Sequence, residues 1–136
     1  MNTQHRTSKI EVRAGRPAYD LEERLLAFAA NVIEVAEALP GTRTGNHVAG
    51  QLLRSGTSPL PNHGEAQAAE SPADFRHKLK VCLKELRETR RWLLLISRVK
   101  TLRPTDQVGT LVSETEELIR IFVASIKTSQ QRSASQ

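Results

Sequence analysis

Along most of this chain, apolar residues recur in alternating steps of three and four, the period of an α-helix that turns one face to a core. The first run is Leu21, Leu25, Phe28, Val32, Val35 and Leu39, ahead of Pro40-Gly41. With Asp20 as a cap and Glu22 and Glu23 in the first turn, it predicts a helix over 20–39. A second phase, Val48, Leu52, Ser55, Pro59, Asn62, Ala66 and Ala69, spans 43–70 but contains Gly56, Pro59, Pro61 and Gly64. An interior proline loses a hydrogen bond and collides with the preceding turn, at about 3 kcal/mol. This helix is therefore expected to kink or break near Pro59-Pro61, with helix on both sides. Ser55 and Asn62 on the seam either hydrogen-bond between helices or mark a site, and the first reading is favoured.

The longest uninterrupted stretch runs from Ser71 to Arg103. Ser71 can cap, Pro72 suits the first helical position, Asp74 suits the positive end of the dipole, and no Gly or Pro follows until Pro104. The expectation is one helix of about 29 residues, about 43 Å long. Phe75, Leu79, Cys82, Leu86, Thr89, Leu93 and Ile96 form its seam. Val81, Glu85, Glu88, Trp92, Leu95 and Val99 form a second stripe about 100° round. Pro104 opens a fourth helix, with Leu111, Thr115, Leu118, Phe122 and Ser125 on its seam and an end expected near Lys127. Four amphipathic helices with short links predict an all-α fold, an antiparallel up-down-up-down four-helix bundle. The expected organisation is a flexible N-terminal arm over 1–18, the bundle over 19–127 and a disordered polar tail over 128–136.

Composition narrows the function classes. The single cysteine, Cys82, excludes an intramolecular disulfide and zinc-finger spacing. No apolar run approaches a membrane span, and the first 17 residues lack the apolar segment of a signal peptide, so a cytoplasmic protein without membrane partners is expected. The net charge of +5 hides an asymmetry. Residues 72–103 hold 10 Lys/Arg against 3 Asp/Glu, whereas residues 20–39 hold 1 against 5 and residues 104–126 hold 1 against 4. Positive potential is concentrated on the third helix. There Arg76, Lys80, Lys84, Arg87, Arg91 and Arg98 fall within an arc of about 80°.

Such a stripe suits phosphate, because affinity arises from neutralised charge and released counterions. Exposed aromatic residues for base stacking are lacking, which argues for weak sequence dependence. The alternative is a solvated face, or one paired with acidic helices in an oligomer. Arg6, Lys9, Arg13 and Arg16 in the arm either touch nucleic acid or belong to a solvated tail, the latter favoured.

Signals for an enzyme are weak. His5, His47, His63 and His77 show no metal-ligand spacing, so neither a metal nor a cofactor is expected. Glu85 and Glu88 lie three apart, but no nucleophile accompanies them. Their structural reading is a buried polar network, with Arg54, Ser55 or Asn62 of the second helix donating to Glu85. Two adjacent apolar stripes per helix exceed what a slim bundle core hides, which predicts a homo-oligomer.

Several segments carry a family resemblance: Leu52-Leu53-Arg54-Ser55, Asn62 with Glu65-Ala66, Asp74-Phe75, and Lys84-Glu85 followed by Glu88-Thr89 and Trp92-Leu93. Together they resemble the four-helix bundle proteins also called 23S rRNA intervening-sequence proteins, over roughly 19–123. The chain is also similar to the accessory protein of diversity-generating retroelements. The resemblance implies an antiparallel four-helix bundle assembling as a homo-pentamer. It further implies binding to nucleic acid, RNA or a nucleic-acid–protein complex, or to a protein partner such as a reverse transcriptase. The chain departs from the family at Pro59-Leu60-Pro61, where a continuous second helix is usual. Two functions are thus expected: a basic bundle that binds nucleic acid, and a structural or adaptor oligomer that binds protein.

Overall fold

The computed structural model describes residues 17–135, with side chains from Asp20 onward. Its helices are α1 (Pro17–Ala38), α2 (Arg43–Thr57), α3 (Pro59–Gln67), α4 (Pro72–Arg98) and α5 (Asp106–Ala134), with a 3-10 turn at Lys100–Leu102. No strand occurs among the described residues. α2 and α3 together make the second rod of a four-helix bundle.

The helix starts follow from chemistry legible in the chain. Ser71 accepts a hydrogen bond from the Asp74 amide at 3.0 Å, and Thr42 accepts one from Gly45 at 3.0 Å. α1 begins at Pro17 rather than at 20, which places Asp20 in its first turn instead of at the cap. The two prolines of the second rod are tolerated for a related reason. The helix is interrupted at one residue, Ser58, so Pro59 and Pro61 are the first and third residues of α3. Amides of a first turn have no partner inside their helix, so the missing N–H groups cost little there. Asn62 is the first residue able to donate back, and it bonds Ser58 O at 3.2 Å.

Side-chain pairs set the directions of neighbouring rods. Arg24 meets Glu114 and Glu117 while Glu34 meets Gln107, so α1 and α5 run oppositely. Arg54 meets Glu85 and Glu88 while Glu65 meets Lys78, so α2–α3 opposes α4. Arg76 meets Ser129 and Ser133 while Arg90 meets Glu116, so α4 opposes α5. One contiguous core lies between them, built from Leu25, Phe28, Val32, Leu52, Leu86 and Phe122 with their neighbours.

Two expectations about the ends need correction. α5 continues to Ala134 instead of stopping near Lys127, so the segment expected as a disordered tail is helical through that residue. No Gly or Pro follows Gly109, and Arg76 ties the last turns to α4 through Ser129 O at 3.4 Å, Ser129 Oγ at 3.2 Å and Ser133 Oγ at 2.7 Å. At the other end, Pro17 and Ala18, expected in an arm over 1–18, are helical; residues 1–16, including His5, Arg6, Lys9, Arg13 and Arg16, lie outside the described residues.

Candidate functional site

α4 packs Leu79, Cys82, Leu86, Thr89, Leu93 and Ile96 into the core, every one of them on the expected seam. That burial fixes the rotation of the helix, and the rotation turns Lys80, Lys84, Arg87, Arg91 and Arg98 to solvent. None of these five makes an ion pair among the described residues. Arg76 differs from the rest of the stripe. It is half-buried and committed to three acceptors on α5, so its role is to hold the end of the bundle.

The stripe borders α5. One recess between the helices is lined by Arg87, Arg90 and Arg91 of α4 with Glu116, Ile119 and Arg120 of α5. The next is lined by Lys80, Leu83, Lys84 and Arg87 with Val123, Ile126 and Lys127. Arg90 is paired with Glu116 at 2.8 Å. Arg120 and Lys127 did not stand out in the sequence, because only the docking of α5 on α4 brings them beside the stripe.

On the other flank of α4 lies the polar group read from the sequence. Arg54 bonds Glu85 at 3.2 Å and also Glu88, whose Oε2 accepts from Trp92 Nε1 at 3.1 Å. The rings of His47 and Trp92 stand nearly perpendicular, with centroids 6.1 Å apart. The cluster sits at the surface rather than in the core: the side chain of Glu85 is 13% exposed and that of Arg54 is 52% exposed. Ser55 and Asn62, proposed as donors to Glu85, bond elsewhere. Ser55 Oγ is buried against Thr89 Oγ1 at 2.9 Å, and Thr89 also reaches Glu85 O at 2.8 Å. Asn62 bonds back to Ser58 O at 3.0 Å and Ser58 Oγ at 2.9 Å. Short hydroxyl side chains on facing helices satisfy each other, while the charged cluster keeps one edge in water.

His63 was missed as a core residue. The seam was expected through Asn62, yet His63 is 1% exposed and meets the ring of Phe122 edge-on. Burial pushes its pKa down, partly opposed by the charge of Glu22. Its Nε2 lies 3.3 Å from Gln67 Nε2, and its Nδ1 has no partner among the described residues. Cys82 is equally inert. Its thiol is buried against Pro59 O at 3.6 Å, and burial pushes its pKa up to about 12. Among the described residues no three His, Cys, Asp or Glu side chains gather to hold a metal, and no helix is long and apolar enough to cross a membrane.

Comparison with known proteins agrees with this architecture. A family model described as 23S rRNA-intervening sequence protein matches residues 20–124. Among solved structures, a protein of unknown function from the S23 ribosomal protein family of Bacteroides thetaiotaomicron is similar at 32% identity. The match covers 78% of this chain and 97% of that one, with a TM-score of 0.71. No curated protein matches the chain.

Proposed function

The chain belongs to the 23S rRNA-intervening sequence protein family, and on that premise we infer that it is a non-enzymatic basic bundle that binds nucleic acid. The observation that carries this reading is the run of Lys80, Lys84, Arg87, Arg91 and Arg98 on one exposed side of α4, without carboxylate partners among the described residues. Unpaired cations held in register on a stiff rod attract a polyanion and gain the entropy of its released counterions. The ligand in this reading is RNA or a nucleic-acid–protein complex. Sequence dependence is weak, since the only tryptophan, Trp92, is half-buried and engaged with Glu88. Within this reading, three candidate nucleophiles and bases are engaged or enclosed by the fold. Ser55 pairs with a threonine, Cys82 is a buried thiol, and His63 is walled in by the core.

A homo-oligomer is part of the same reading. Leu26 and Ile33 on α1 are 52% and 45% exposed, and Leu94 and Leu95 of α4 also face solvent. Exposed apolar residues of this size favour covering by another subunit or a partner. The family resemblance makes a pentamer the expected assembly. The same residues support the second reading, an adaptor whose partner is another protein such as a reverse transcriptase.

Filter binding of single-stranded RNA and DNA at two salt concentrations tests the proposal. If a subunit contacts about four phosphates, log affinity falls with log salt at a slope of about −3. Lys80→Glu combined with Arg87→Glu abolishes most binding with unchanged helicity. Negligible retention of either nucleic acid by the wild type at low salt would leave the adaptor reading standing.

A further inference from the structure

We propose that the nucleic-acid strand lies in the groove between α4 and α5, its phosphates held from both walls, by Lys80, Lys84, Arg87 and Arg91 on one side and Arg120 and Lys127 on the other. This rests on the preceding reading and adds to it a location, a second set of contacts and a strand type.

Three observations place the strand there. The two recesses that carry these residues share Arg87, so they are neighbours along the junction of α4 and α5. Arg120 and Lys127 are seven residues apart on α5, hence on one helix line, and both are exposed without ion-pair partners among the described residues. The charge of the channel is one-sided, because Glu116 is the single carboxylate lining either recess and it is already occupied by Arg90. Like charges gathered along one channel repel each other, and a bound polyanion reverses the sign of that energy. Arginine forks suit phosphate oxygens in particular.

The dimensions suit a single strand. Packed helices stand about 8–10 Å apart, a spacing at which one strand can reach cations on both walls at once. From Lys80 to Arg91 the channel runs about 16 Å, room for roughly four to five phosphates at the 3.4 Å per-strand spacing of stacked nucleic acid. Its floor is aliphatic, with Leu83, Ile119, Val123 and Ile126 available to sugars and base edges. That floor offers contact area without hydrogen-bond readout, in keeping with weak sequence dependence.

Two variants with opposite expected signs test the channel, with oligo-uridylate and oligo-thymidylate of about 12 nucleotides as probes. Arg120→Gln with Lys127→Gln removes two phosphate contacts on α5. Binding at 0.1 M salt should weaken about 25-fold, and the salt slope should become shallower by about 1.4. Glu116→Gln removes the only carboxylate and frees Arg90, so binding should tighten about 5-fold and the slope steepen by about 0.7. Circular dichroism and light scattering should match the wild type in both. If the α5 double variant binds like the wild type while Lys80→Glu with Arg87→Glu does not, nucleic-acid binding stands and the channel is wrong. If the α5 variant changes the oligomeric mass, these cations belong to a subunit contact and the channel is again wrong. A duplex of the same length that binds as tightly as the strand also rejects this seating. If the wild type binds neither probe at low salt, the underlying function fails together with the channel.

Discussion

Gly56→Ala isolates how closely α1 and α2 approach. A Cβ built on Gly56 would stand 2.6 Å from Val32 Cγ1, 2.7 Å from Cγ2 and 3.1 Å from Cβ. Ordinary carbon contacts lie at about 3.5–4.0 Å, so both methyls are about 1 Å too close. Val32 is fully buried and β-branched, with one strongly preferred rotamer in a helix, so it cannot swing aside. The helices must separate instead. Overpacking of this kind costs about 1–3 kcal/mol, against about 1 kcal/mol gained by replacing glycine with alanine in a helix. The net expectation is a loss of about 0–2 kcal/mol, or a fall in Tm of up to roughly 8 °C for a chain of this size, whereas the difference from an unhindered Gly→Ala change is the full overpacking cost of about 1–3 kcal/mol. Gly50, on the same helix, has nothing within 4 Å of a built Cβ, and Gly50→Ala should stabilise by up to about 1 kcal/mol. Urea melts followed by circular dichroism at one fixed protomer concentration measure both, since assembly would otherwise shift the midpoint. Adding Val32→Ala to Gly56→Ala should cost less than the two single changes summed, with a coupling of about 0.5–3 kcal/mol. Gly56→Ala as stable as Gly50→Ala would refute the close packing of α1 on α2.

Two further predictions concern the polar groups. Because burial lowers the pKa of His63 in the folded state, the unfolded chain takes up the proton first as pH falls. The His63 contribution is therefore complete above the ordinary histidine pKa of about 6.5 and is lost as pH drops from there toward the lowered folded value. Stability should fall by at most about 1.4 kcal/mol per pH unit from this group, and His63→Leu should remove that part of the slope; identical pH profiles for the two proteins would show that His63 does not titrate as described. Glu85→Ala should cost about 1–2 kcal/mol, less than the roughly 3–5 kcal/mol of a fully buried pair, because its partner Arg54 stays half in water. An unchanged urea midpoint would mean that the Arg54–Glu85 pair contributes nothing.

The chain alone determined every helix and most of the core, because a period of three and four can be satisfied only by helices with one buried face. Ser71, Pro72 and Asp74 mark the start of α4 by local chemistry, and the structure keeps that start. The outward arc of Lys80, Lys84, Arg87 and Arg91 was likewise legible, since angles around a helix follow from sequence spacing once its seam is known. What lies across from an arc is not a property of spacing. Arg76 shares the arc yet is consumed by Ser129 and Ser133, more than fifty positions later in the chain. Arg120 and Lys127 join the basic channel only because α5 docks with that line toward α4. His63 rather than Asn62 lies inside because steps of three and of four after Pro59 both keep the helical period, and packing decides which of two adjacent residues faces Phe122. The length of α5 was underestimated for a similar reason: a polar segment has no helical period to read, and its last turns are held by a single arginine from α4. Local rules determine where helices begin and which face they bury. Partners across the bundle depend on rotations and separations that only the close-packed core selects.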